Sequence, residues 1–137
     1  MTNTMKILFF LLFTQAVSAK LYLNVSILVK KGVNLGITLA SELQSVEEIR
    51  PEVPVIIKMK NGVIIEIQAS FENIKSSSEH YGPSENILVI GKIINEKGEI
   101  IRDFSKEKIL IPLNEQHLIS QEKDNQKIEL RIQPEIR

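Results

Sequence analysis

The sequence predicts an all-β chain, an antiparallel β-sandwich of eight or nine short strands. Three observations predict it. Apolar residues, many of them β-branched, alternate with polar ones along run after run, which is the period-two pattern of half-buried strands. Asn, Gly and Pro separate those runs at close spacing, as turns do. A single stretch, Ser45 to Arg50, offers a helical turn. Short strands, frequent turns and almost no helix are the pattern of two sheets packed face to face.

The first segment is expected to lie outside that domain. Lys6 precedes the apolar run Ile7 to Phe13, and Val17 and Ala19 supply small residues before a cut after Ala19. A basic start, an apolar run of about 7–15 residues and small residues at the cut make a secretory signal. A spanning helix needs about 20 apolar residues, and Thr14-Gln15 interrupts this run well short of that. The expected organisation is therefore a signal peptide over 1–19 and one β-domain over 20–137, with no stable membrane span after cleavage.

Removing 19 residues from 137 leaves 118. Only Lys6 is lost from the 17 Lys and Arg, so 16 face 17 Asp and Glu. Near-neutral charge without basic clusters argues against nucleic acid and anionic membranes as partners. The chain has no cysteine, which excludes Cys–zinc sites, thiol nucleophiles and a lipid-modified N-terminal Cys. An exported, cysteine-free chain rich in Ile and Lys points to a bacterial envelope, periplasmic or secreted.

The domain opens with Leu21, Leu23, Val25, Ile27 and Val29 alternating with Tyr22, Asn24, Ser26, Leu28 and Lys30, a half-buried strand. Lys31 to Asn34 reads as a turn. A second strand starts with Leu35, Ile37 and Leu39 and is expected to end near Leu43. Ser45 can cap a short helical turn, with Glu48 completing a capping box and Pro51 stopping it. The alternative for Gln44 to Glu52 is a loop that crosses between sheets.

Val53 to Phe71 is the central hairpin. Val53, Val55, Ile57 and Met59 alternate in its first strand; Val63, Ile65, Ile67, Ala69 and Phe71 alternate in its second. A two-residue turn on Asn61-Gly62 would mix the faces. A three-residue loop, Lys60-Asn61-Gly62, sets Met59 opposite Val63, Ile57 opposite Ile65 and Val55 opposite Ile67, with Gly62 left-handed. Ile56 and Ile64 then share the opposite face, as Leu28 does on the first strand.

Asn73 to Asn86, rich in Ser, Gly, Pro and Asn, reads as a long loop. Ile87 to Ile94 is a strongly apolar strand and Ile100 to Phe104 returns from it. A three-residue loop ending at Gly98 sets Lys92 against Arg102; a two-residue loop sets Lys92 against Asp103 but puts Lys97 at positive φ. Both registers stay open. Ile109 to Leu113 is a short strand whose Pro112 suits an edge or an end. His117 to Ile119 is another, and Glu122 to Gln126 turns. Ile128, Leu130 and Ile132 mark the last strand, ended by Pro134. An immunoglobulin-like or Greek-key sandwich is expected, the immunoglobulin-like order being favoured.

Catalytic residue types crowd together in Ser76-Ser77-Ser78-Glu79-His80-Tyr81. Ser, His and Glu can serve as nucleophile, base and orienter, but neighbours in one loop seldom reach that geometry. A zinc site would need His80, His117 and a carboxylate together. Calcium and phosphate loops are absent from the sequence. No enzyme activity, catalytic residue, metal or cofactor is expected. Of the aromatic residues after the signal, only Tyr81 is expected to be free. The segment Ile109 to Ile136, 28 of 137 residues, resembles the hairpin-then-strand ending of several bacterial envelope β-domains, secretins among them. That resemblance lies in Leu113-Asn114-Glu115-Gln116 and Ile128 to Glu135, and no function is carried across from it.

The expected role is a non-enzymatic envelope β-domain acting in protein interaction or assembly, with an envelope protein or a second copy as partner. The alternative is a small secreted hydrolase or ligand-binding protein using the Ser76–Tyr81 loop.

Overall fold

The structure, a computed structural model, describes residues 20–32, 36, 38–72 and 86–137. The described residues contain nine strands and no helix, arranged in two antiparallel sheets. The four-stranded sheet runs β2 (Thr38–Glu48), β1 (Leu21–Lys31), β9 (Gln126–Ile136), β8 (His117–Lys123). The five-stranded sheet runs β3 (Val55–Lys58), β4 (Ile64–Phe71), β5 (Asn86–Ile94). The far edge of β5 is shared by β6 (Ile100–Asp103), against Lys92 to Ile94, and β7 (Ile109–Pro112), against Asn86 to Val89.

Alternation drives the packing. Leu23, Ile27 and Val29 of β1, Ile65 and Ile67 of β4, Ile87 and Ile93 of β5, and Ile128, Leu130 and Ile132 of β9 join one buried cluster drawn from both sheets. The arrangement is sandwich-like. Burying one such side chain stabilises by about 1.5–3 kcal/mol, and 20 hydrophobic residues are buried among those described. An apolar core of that size can hold the fold without disulfides.

The central hairpin has the expected register. Val55 pairs with Ile67 and Ile57 with Ile65. The Met59 N–H donates to the Val63 carbonyl at 2.8 Å, and Gly62 lies at φ 97°. Its ends differ from expectation. Val53 is 52% exposed in an isolated bridge to Arg50, and Phe71, at the tip of β4, is 40% exposed. Alternation places a residue on a face, but a strand end can outrun the opposing sheet.

The β5–β6 hairpin resolves the two open registers by using both. Near the turn Ile94 pairs with Ile100, as the three-residue loop requires, and Gly98 takes positive φ. Beyond a bulge at Ile93/Ile94, Lys92 pairs with Asp103. One extra residue on β6 thus gives a relaxed turn and an attractive charge pair together.

Three expectations are corrected. Ser45 to Glu48 is strand, not a helical turn: β2 runs on to Glu48 beside β1. A lone helical turn cannot hold itself, whereas each residue here joins a long ladder. Pro134 does not end the last strand, since β9 continues to Ile136. The Pro134 carbonyl accepts the Asn114 N–H at 2.7 Å, so its main chain faces away from β1. The missing N–H therefore falls where β8 has already stopped, at His117 opposite Ile132. Finally, the strand order is not immunoglobulin-like, in which early and late strands are dealt into both sheets. Here β1, β2, β8 and β9 share one sheet and β3 to β7 the other. The cause is the pairing of β1 with β9 over all eleven residues, from Leu21↔Ile136 to Lys31↔Gln126, which ties both ends of the domain into one sheet.

Candidate functional site

The Ser76–Tyr81 loop, including His80 and Tyr81, lies outside the described residues. His117 opens β8, half-buried and opposite Ile132. Among the described residues no three His, Cys, Asp or Glu side chains stand close enough to hold a metal ion. No helix among them is long and apolar enough to cross a membrane.

The outer face of the five-stranded sheet is the main apolar surface. The alternation that buries Ile57, Ile65 and Ile93 sends their neighbours outward. Lys58, Ile64, Ile94 and Ile100 line up across four strands. Beside them runs the row Ile56, Glu66, Lys92, Asp103, in which Lys92 stands between two carboxylates. Farther along, Gln68 lies beside Ile90, and Leu88 lies between Ser70 and Leu110. Ile56, Ile100 and Leu110 are 52%, 55% and 41% exposed; Ile64, Leu88, Ile90 and Ile94 are half-buried. No other described element packs across this face. The Asp103 carboxyl is held below its ordinary pKa, first by the Ser105 N–H that donates to it at 3.0 Å and then by the Ser105 hydroxyl, with Lys92 adding its charge.

The outer face of the four-stranded sheet is mainly polar, with Val46 and Leu118 exposed and Leu28 half-buried among its polar side chains. At its middle lies Glu129, whose carboxylate is ringed by cations on its own and a neighbouring strand. Lys30 Nζ donates to Oε1 at 3.1 Å, Lys127 Nζ lies 3.7 Å from Oε1 and Arg131 Nη2 lies 3.3 Å from Oε2. The last contact is an ion pair without hydrogen-bond geometry, so Oε2 accepts no hydrogen bond from the protein. Burial pushes the Glu129 pKa up. The Lys30 hydrogen bond and charge, with Arg131 and Lys127, outweigh that and leave it below the ordinary value. The long cation stems cover the carboxylate although it sits just beneath the surface. Nearby, Asn24, Gln44, Val46 and Gln133 line an open cleft of about 390 Å³. The Arg137 guanidinium rests 5.2 Å from the centre of the Tyr22 ring.

These surfaces offer apolar contact, hydrogen bonding and charge pairing, which are the means of binding. Ile56 and Ile64 were legible as outward-facing in the sequence. Ile94, Ile100 and Leu110 were not assigned to that face, although two adjacent apolar residues at Ile93-Ile94 already require one to point outward. The exposed Phe71 was missed because alternation alone gives it a core position. No protein-family model matches this chain, and no curated protein and no solved structure is significantly similar to it.

Proposed function

We propose that this chain is an exported, non-enzymatic β-domain of a bacterial envelope, periplasmic or secreted, that works by binding another envelope protein or joining an assembly. The observation that carries the reading is the outer face of the five-stranded sheet, which no other described element covers: Ile56 and Ile100 are exposed near half-buried Ile64 and Ile94, and Leu110 is exposed farther along beside half-buried Leu88. Contiguous apolar surface on a folded domain marks a contact site. The row Glu66, Lys92, Asp103 supports it by offering charges that would orient a partner. The signal-like segment Lys6 to Ala19 supports export. Of the finer fold assignments, the chain's crossings between sheets at β2–β3 and β7–β8 support a Greek-key sandwich, and the strand order counts against an immunoglobulin-like one.

Site-specific photocrosslinking from position 100, in cells expressing the full chain, tests the interaction. A discrete crosslinked species that disappears in an Ile56→Lys background is expected. A folded protein that crosslinks to nothing from position 100 would refute the contact surface. N-terminal sequencing of the exported protein tests the leader, with Lys20 as the expected first residue.

A further inference from the structure

The edge of the four-stranded sheet at β2 is a second surface, separate from the Ile56–Ile100 face. The Ile49 N–H donates to the Leu21 carbonyl at 2.9 Å. Strand alternation then aims the main chain of Leu43, Ser45 and Glu47 at β1 and that of Glu42, Gln44, Val46 and Glu48 away from it. Four N–H and four C=O groups thus stand in a row with no strand beyond them among the described residues. Sheet edges are normally blunted by short length, Pro, Lys or bulges. The described edge strands β3, β6 and β7 are four residues long, and β7 ends in Pro112; β8 is seven and ends in Lys123. By contrast β2 has eleven residues with no Pro, Gly or Lys, and its one irregularity lies opposite Val29/Lys30, outside Ser41 to Glu48.

Charge adds a second observation. β2 carries Glu42, Glu47 and Glu48 and no cationic residue. Glu48 pairs with Lys20 at 3.2 Å, while Glu42 has no ion pair among the described residues. The outward-facing main-chain positions present the side chains Glu42, Gln44, Val46 and Glu48 on one face of the sheet, acidic at both ends. An added strand would set its own side chains about 4.5–5.5 Å from these. A second copy's β2 would bring three more carboxylates to the same edge.

We propose that the free edge of β2 binds an extended, basic polypeptide segment of another protein, which joins the four-stranded sheet as a fifth strand with Lys or Arg beside Glu42 and Glu48. The main-chain bonds hold the segment and the charges select it.

The probe is a labelled eight-residue peptide alternating Lys with Val, titrated into the protein and followed by fluorescence anisotropy. Saturable binding is expected, weakened by salt and lost when Glu replaces Lys in the peptide. Val46→Pro is the decisive variant. The Val46 N–H points away from β1, so the change removes no β1–β2 bond but blocks the edge. The expected protein is folded and does not bind. Glu42→Lys should weaken the Lys peptide by roughly up to fivefold, the range for one cross-strand charge pair. Amide exchange on the unmutated protein gives a readout that no variant can confound. Gln44 and Val46 should exchange fast alone and slowly with peptide, while Leu43 and Ser45 stay slow in both. Unchanged binding to folded Val46→Pro, protection elsewhere than β2, or no saturable binding would overturn the proposal. So would a dimer that Val46→Pro dissolves, because the occupant would then be a second copy.

Discussion

Gly91 sits in the middle of β5, buried and paired with Ile67 of β4. A Cβ built there would lie 2.0 Å from the Glu66 carbonyl oxygen, 2.8 Å from Phe104 Cζ and 3.0 Å from Phe104 Cε2. Phe104 is fully buried, and its N–H donates to the Gly91 carbonyl at 2.9 Å. Glycine therefore lets β4 approach and gives the Phe104 ring its place. Real Cβ contacts stay above 3.0 Å, so Gly91→Ala must move the β4 main chain by about 1 Å. A close-packed interior cannot absorb that shift freely. Overpacking costs about 1–3 kcal/mol, and each ladder bond stretched out of range adds about 0.5–1.5 kcal/mol. The expected loss is about 2–5 kcal/mol, against a typical domain stability of about 5–15 kcal/mol. At about 4 °C per kcal/mol for a domain of this size, Tm should fall by about 8–20 °C. Urea and thermal melts followed by circular dichroism measure both. The double variant Gly91→Ala/Phe104→Leu relieves the ring contact but not the carbonyl contact, so it should remain destabilised. A Gly91→Ala protein within about 0.5 kcal/mol of the parent would refute the close approach of β4 to β5.

Gly62→Val should cost roughly 1–3 kcal/mol, and more than Gly98→Val in parallel urea melts. Gly62 combines positive φ with a Glu96 Cβ only 3.2 Å from the added carbon, whereas Gly98 has positive φ in open space. Ile65→Ala should cost roughly 2–5 kcal/mol as a buried truncation. Ile64→Lys, on the uncovered face, should leave Tm nearly unchanged in a thermal melt; failure to fold would mean that a further layer covers that face. Glu129 has a folded pKa below its ordinary value, so its stabilisation is present above about pH 4.5 and lost as pH falls through the lower folded value. Glu129→Gln should therefore be less stable than the parent at neutral pH, with the gap closing on acidification. Urea melts at neutral and acidic pH check it, and a gap that widens on acidification would contradict the sign.

The strands were legible because period-two alternation is a local property. Leu21 to Val29, Val55 to Ala69 and Ile128 to Ile132 each carry in sequence the face they show in the fold. The three-residue loop at Lys60-Asn61-Gly62 was equally legible, because only that length keeps Ile57 and Ile65 on one face. Gly91 also had a signal, a glycine inside an apolar strand, but nothing local says which atom comes close. The outward direction of Ile56 and Ile64 could be read in sequence; whether anything covered them could not.

The all-β class, nearly every strand, the central register and the absence of disulfides follow from the residues alone, since alternation, turn chemistry and composition act over a few residues. The rest came from the folded arrangement of the two sheets. It carried β2 through Glu48 because β1 offered a ladder, and β9 through Pro134 because the missing N–H faced away from β1. It placed a bulge in the β5–β6 hairpin to satisfy turn and charge pair together, and among the described residues it left the β2 edge and the Ile56–Ile100 face uncovered. Those outcomes depend on which distant strand lies alongside, and pairing between distant strands is set by the whole core rather than by any one segment.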